Sequence, residues 1–169
     1  MRVPPSVLGL LAGLSLGLCS CGGPTFDGRV YRGDGVAFRV GALPRGWHEI
    51  RVDGALLAFR DASAQATIAV NGRCGVDGDD VPLTALTHHL FLHFTDREVT
   101  GQKSITLDGR EALATELVAE LDGVPRRFIV YVLKKDGCVY DFVWIGAELE
   151  QHASSEHFRR FVQGFSTEI

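Results

Sequence analysis

Three histidines stand close together near the middle of the chain: His88, His89 and His93. Neutral imidazole is a good ligand for zinc, and side chains four residues apart share one face of a helix. His89 and His93 have that spacing and form a candidate metal pair, with Asp77, Asp79 and Asp80 near enough in sequence to add oxygen ligands. Against this, no Glu stands where a His-Glu-x-x-His zinc protease needs one. The competing reading, which is favoured, has these histidines flanking an apolar stripe and meeting solvent. Asp77-Gly78-Asp79-Asp80 has the oxygen density of a calcium loop but lacks the later Glu that an EF-hand requires. Ser154, Ser155 and His157 contain the atoms of a hydrolase. No Gly-x-Ser-x-Gly elbow accompanies them, and the two serines are explained as helix caps. Cys74 and Cys138 lack the Cys-x-x-Cys context that lowers a thiol pKa. No catalytic residue is assigned, and no cofactor is called for.

The strongest chemical signal lies at the N-terminus. Arg2 supplies positive charge, Val7 to Leu18 is an uncharged apolar stretch, and small Ser20 precedes Cys21. That is the layout of an export signal, and the stretch is shorter than the roughly 20 residues of a membrane-spanning helix. Leu18-Cys19-Ser20-Cys21 resembles the processing site of bacterial lipoproteins, which implies that residues 1–20 are cleaved and that Cys21 carries the lipid. Several acyl chains hold a protein on a bilayer where one would not. Gly22 replaces the Asp that often marks inner-membrane retention, so the resemblance favours the outer membrane. The division expected is 1–20 signal, 21–27 lipidated Cys and linker, and 28–169 one globular domain.

Composition bounds the rest. Removing residues 1–20 takes away one cation and leaves 16 Lys+Arg against 21 Asp+Glu, a formal charge of −5. That balance argues against a nucleic-acid surface, which is usually basic. Cys74 and Cys138 remain besides the anchor, each near the end of an expected strand. Export places them where disulfides persist. Either they pair or they stay as two buried thiols, and sequence leaves both open.

The elements that must position these groups are mostly strands. Asp53-Gly54, Asp108-Gly109, Asp122-Gly123 and Asp136-Gly137 each separate strand-like runs, and Asp-Gly suits a tight hairpin turn. Apolar residues alternate at Val36, Phe38 and Val40; at Ile50 and Val52; at Leu57 and Phe59; and at Ala66, Ile68 and Val70. Later runs place Leu113, Thr115, Leu117, Ala119 and Leu121 on one face, then Phe128, Val130 and Val132, then Tyr140, Phe142 and Trp144. Ile129, Tyr131, Val143 and Ile145 make the opposite faces apolar too, which predicts a sheet covered on both sides. Helical stripes predict helices over 82–95 and 154–165, the first opening on Pro82 and the second capped by Ser154 or Ser155. Trp47 is expected to cover one end of the core. Glu116 and Glu120 are expected to pair with Arg126 and Arg127 across a hairpin. The fold class is therefore α+β, an antiparallel sheet of hairpins with helices packed on it.

In this order the elements resemble the PsbP/DcrB-like α/β/α sandwich family, over most of residues 28–166. The residues that carry the resemblance are Leu43-Pro44-Arg45-Gly46-Trp47, the Asp53-Gly54 hairpin, Ala66-Thr67-Ile68-Ala69-Val70 and Leu107-Asp108-Gly109-Arg110-Glu111-Ala112. Tyr140-Asp141-Phe142 and the Phe158-to-Phe165 helix complete them. The resemblance implies non-catalytic work, namely binding partners and assisting assembly or envelope maintenance. No ligand-binding residue carries over with it, and fold does not fix function. The leading expectation is a membrane-tethered envelope factor whose partners are the membrane, through Cys21, and other envelope proteins. The alternative is a small-ligand or metal-binding protein centred on His89 and His93. An assembly factor should expose an apolar patch, a ligand binder a deep polar-lined pocket, and an enzyme a cluster of titratable residues from separate strands.

Overall fold

The computed structural model describes residues 23–75, 81–147 and 153–168, so Cys21, the signal segment and Asp77, Asp79 and Asp80 lie outside the described residues. The core is a seven-stranded antiparallel sheet. Its strands are β4 (Trp47–Ile50), β5 (Leu57–Asp61), β6 (Ala66–Cys74), β7 (Thr95–Leu107), β8 (Arg110–Leu121), β9 (Val124–Lys135) and β10 (Cys138–Ala147). They run side by side as β4-β5-β6-β10-β9-β8-β7. A second sheet, ordered β1-β2-β3-β11, joins β1 (Thr25–Phe26), β2 (Val30–Gly33), β3 (Val36–Arg39) and β11 (Ser166–Thr167). Helix α1 (Leu83–His89) lies on one face of the large sheet. Helix α2 (Ala153–Gln163) and the small sheet lie on the other. The sandwich is as expected, except that one outer layer is a helix together with a sheet.

Two hydrophobic clusters follow from strand alternation. On β9, Ile129, Tyr131 and Leu133 face α2 with Phe142 and Trp144 of β10. Phe128, Val130 and Val132 face α1. Phe91 and Phe94 meet Phe128 edge-on, with ring centroids 5.3 and 5.1 Å away, a favoured aromatic geometry. On the other face α2 presents Phe158, Phe161 and Val162, with Phe165 just beyond it. Trp47 belongs to this core, and its Nε1–H donates to His157 Nδ1 at 3.4 Å. The indole N–H of buried Trp144 has no partner among the described residues. Such a group costs about 1–3 kcal/mol, which the burial of the indole ring opposes.

The turns obey the Asp-Gly rule with one exception and one addition. Asp108-Gly109, Asp122-Gly123 and Asp136-Gly137 have positive φ at both residues, as type I′ turns require. Asp34-Gly35, between β2 and β3, does the same and was not anticipated. At Asp53-Gly54 only Gly54 has positive φ, and Ala55 N–H donates to Val52 O at 3.1 Å. The hairpin there is open, so Ile50 and Val52 leave the core and are 37% and 42% exposed, against their expected burial.

Other boundaries shift for physical reasons. Thr25 and Phe26 pair with Arg32 and Tyr31, and Asp27 Oδ1 accepts the N–H groups of Arg29 and Val30. The folded domain therefore starts before residue 28, and residues 25–27 are not linker. Helix α1 stops at His89, because Phe91 N–H and Phe94 N–H turn back to His88 O and Phe91 O before β7 begins at Thr95. Helix α2 begins at Ala153, so Ser154 and Ser155 are already helical and buried instead of capping.

Cys74 and Cys138 stand directly opposite each other across β6 and β10 and form a disulfide, with Cα atoms 4.0 Å apart. Each lies in register with the other because the two strands pair without a break from Ile145–Thr67 to this point.

Candidate functional site

Strand β7 is the outer edge of the large sheet and is exposed along most of its length. Its pairing with β8 slips twice, between Thr95 and Glu98 and between Val99 and Gly101. Asp96 takes a positive φ of 46° at the first slip. Bulges of this kind bend an edge strand and re-aim its side chains. Here Arg97 is turned so that its Nη1–H donates to Phe91 O at 3.0 Å, which ties β7 to the turn after α1.

The result is a groove of about 460 Å³ between α1, β7 and β8, a size that suits a small ligand or a few side chains. Phe91, Val99 and Leu117 form its apolar floor, and Thr84, His88, Arg97 and Gln102 stand around it. No lining residue is acidic, although the chain as a whole carries net negative charge. Gln102 Nε2–H donates to Thr115 Oγ1 at 3.0 Å, and Thr87 Oγ1–H to Leu83 O at 2.9 Å. Leu92 in the turn after α1 and Val99 on β7 are 58% and 56% exposed. Val99 belongs to the groove floor, and Leu92 follows Phe91 of that floor in the chain.

The remaining titratable groups gather into balanced pairs and triads. Glu116 accepts from Arg127 Nη2 and from Arg159 Nη2, both at 2.7 Å. Burial alone would raise the Glu116 pKa, but the hydrogen bonds from the two guanidiniums outweigh it and hold the carboxyl below its usual range. The Arg127 half was expected; Arg159 comes from α2, forty-three residues away, and no local pattern announces it. A depressed folded-state pKa means stability present above the usual glutamate range and lost as pH falls through the lower folded value. Glu116→Gln should therefore cost about 1 kcal/mol near pH 7, after allowance for screening of this partly exposed group. Urea midpoints at pH 7 and pH 3 check this: the deficit should shrink in acid, and an equal deficit at both would refute the electrostatic account.

Asp108 accepts from Lys135 Nζ at 2.8 Å and from Thr167 N–H at 2.9 Å. Burial pushes its pKa up, but these partners bring it below the usual value. Asp61 accepts from Ser63 Oγ at 2.6 Å and from the N–H groups of Ser63 and Ala64, which lowers its pKa and shapes the β5–β6 turn. Ser63 thereby donates its hydroxyl hydrogen to a carboxylate within its own turn. Buried Asp141 accepts from Asn71 Nδ2 at 2.6 Å and Arg73 Nη1 at 3.2 Å. These groups serve as links between strands.

The sequence-predicted residues fall apart in space. His89 closes α1 and His93 lies in the following turn, so one continuous helix does not present both, and both are exposed. Among the described residues no three His, Cys, Asp or Glu side chains gather where they could hold a metal. His157 accepts the Trp47 indole N–H at Nδ1 and lines a surface pocket together with Asp61, Ser63 and Ser154. The groove itself was missed because residues 95–104 are polar on both faces and show no alternation. The visible signal was limited to Val99, an isolated apolar residue in a polar run.

No family model matches the sequence, and no curated protein matches it. Solved structures do. The solution structure of cyanobacterial PsbP from Synechocystis aligns with a TM-score of 0.57 at 19% identity, over 89% of this chain and 99% of that one. LpqN of Mycobacterium tuberculosis, described as involved in cell envelope biogenesis, aligns with a TM-score of 0.58 at 14% identity, over 86% and 90%. A Pseudomonas aeruginosa protein of unknown function, described as a putative regulator, gives 0.53 at 11%, over 88% and 99%. At such identities likeness speaks for architecture, and the architecture is clear: this chain has the α+β PsbP-like fold.

Proposed function

We propose that this protein is a lipid-anchored, non-catalytic binding or assembly factor of the bacterial envelope, and that the groove between α1 and β7 is where it holds its partner. The carrying observation is exposed Val99 on the apolar floor of a groove whose lining contains no acidic residue, with exposed Leu92 next in the chain to Phe91 of that floor. A bare apolar patch is a common mark of a protein-binding surface. The partner best suited is an apolar segment of another envelope protein, able to offer carbonyl or carboxylate oxygens to Arg97 and Gln102. Support for the compartment comes from the lipoprotein-like Cys21 site and the Cys74–Cys138 disulfide. A structural relative described in terms of envelope biogenesis points the same way. No helix among the described residues is long and apolar enough to cross a membrane. Asp141 with Arg73, and Glu116 with Arg127 and Arg159, are ion pairs that tie strands to one another and to α2, which suits a structural role for these groups.

A photo-crosslinking residue at Val99 should capture one or a few discrete envelope proteins in cells, and Leu92→Glu should abolish capture without lowering thermal stability, since Leu92 touches no core. An equivalent residue at Lys103, whose side chain lies on the opposite face, serves as the control. The same abundant proteins at both positions would sink the reading. For the anchor, fatty-acid label should be lost in Cys21→Ser; label that persists would overturn it.

A further inference from the structure

A second exposed apolar patch lies at the opposite edge of the large sheet, where the open β4–β5 hairpin carries Ile50 and Val52. With Pro24 and Phe26 they line a cleft of about 490 Å³. Their alternation is that of a buried strand face, yet among the described residues they remain 37% and 42% exposed. The other exposed large apolar residues among the described ones are Leu92 and Val99, and Leu121 and Val124. The Ile50 patch differs from both in lying beside the point where the folded chain begins.

Pro24 and the pair Ile50 and Val52 line the same cleft. Cys21 is three residues before Pro24, and an extended chain covers at most about 3.6 Å per residue. A lipid on Cys21 therefore keeps Pro24 within about 11 Å of the membrane surface. Side chains that share a cleft with Pro24 cannot stay far from that surface. Leu121 and Val124 flank the Asp122-Gly123 turn, at the other end of the strands from the Cys74–Cys138 bridge. The Asp34-Gly35 turn of the small sheet belongs to the bridge end, with Gly35 O 3.8 Å from Cys74 Sγ.

Resting on the reading of Cys21 as lipidated, we propose that the end of the domain bearing Ile50 and Val52 lies on the bilayer, with both side chains seated in the lipid headgroup boundary. Amphipathic protein surfaces of this kind enter that boundary by about 5–10 Å. The flanking charges are Glu49, Arg51 and Asp53, one cation against two carboxylates. Attraction to anionic lipid is thus not the driving force. Apolar burial is, so the contact should survive high salt. This orientation turns the Asp122-Gly123 turn away from the membrane.

The test uses the full-length chain purified from membranes and placed in phosphatidylcholine vesicles containing shallow nitroxide lipid. A genetically encoded fluorescent residue replaces Val52, or Asp122 in a parallel sample, so that no new thiol disturbs the disulfide. Quenching by the nitroxide lipid should be at least about threefold stronger at 52 than at 122, and unchanged in 0.5 M salt. Equal quenching, or stronger quenching at 122, overturns the proposal. So does a residue 52 that is shielded from aqueous iodide but untouched by nitroxide lipid, because a second copy or another protein then covers the patch. Mass spectrometry of the same sample separates the two layers of inference. Absence of the acyl mass on Cys21 removes the anchor reading and this proposal with it, whereas an acylated chain with an unquenched residue 52 removes only this one.

Discussion

Gly164→Ala destabilises the domain by about 3 kcal/mol or more, an effect at the upper end of overpacking and a large share of an ordinary domain's stability. A methyl group there would run into the backbone N and Cα of Gly41. One on Gly41 would meet Arg160 O and would lie 2.9 Å from Phe161 Cα. Both obstacles are main chain, so neither can be relieved by a rotamer change. The crossing is this close because Gly41 N–H donates to Phe161 O at 2.8 Å, directly joining the end of β3 to α2. Separating them breaks that bond and lifts Phe161 and Val162 from the core. Gly101→Ala is the control: nothing lies within 4 Å of its added carbon and its φ is not in the left-handed region. It should be neutral or slightly stabilising. Urea unfolding of the three variants decides. Because Gly41 and Gly164 guard one contact, their double variant should cost less than the sum of the two single ones. A Gly164→Ala variant within 0.5 kcal/mol of wild type would show that the crossing is slack.

Loss of the Cys74–Cys138 bridge is expected to have an effect of similar size. The cysteines are 64 residues apart in sequence, and the chain-entropy model assigns a loop of that length about 4 kcal/mol. For a domain of this size that corresponds to a fall in Tm of the order of 10 °C. The Cys74→Ala, Cys138→Ala double variant should melt that much lower, and reductant should bring the wild type down to it while leaving the variant unmoved. A double variant that melts within 2 °C of the oxidised wild type would show that register alone holds β6 to β10.

Why the bridge was undecidable from sequence is instructive. Its existence depends on β6 lying beside β10, a neighbour that α1 and three strands separate from it along the chain. Hairpins were legible because Asp-Gly and period-two alternation are local, and so β8, β9 and β10 were read with their faces assigned correctly. Pairings between distant segments leave no local trace. Arg159 reaching Glu116 is the same kind of miss. Strands β1 and β11 have two residues each, too few for any period. Ile50 and Val52 failed in the opposite way: the alternation was real, but the Asp53-Gly54 turn opens the hairpin and leaves them uncovered. The groove was hidden for a related reason. Strand β7 is wet on both sides, so its sequence carries no facial asymmetry to read. What sequence read well was the fold; what it read poorly was the candidate site, which depends on bulges and on an edge.

The small sheet gains its fourth, edge strand when β11 docks on β3, placing Ser166 and Thr167 opposite Arg39 and Phe38. Arg39 also donates to Glu168 at 3.0 Å, and Thr167 N–H and Oγ1–H are taken up by Asp108 and Asp136. The last described residues thus fasten the first strands and two hairpin turns at once. Up to residue 160 the chain already holds β1, β2, β3 and all seven strands of the large sheet, and only the edge strand of the small layer is still to come. Contacts between such distant segments also slow folding. The small layer is thus finished from its far side, by a fastening that joins residues 129 positions apart in the chain.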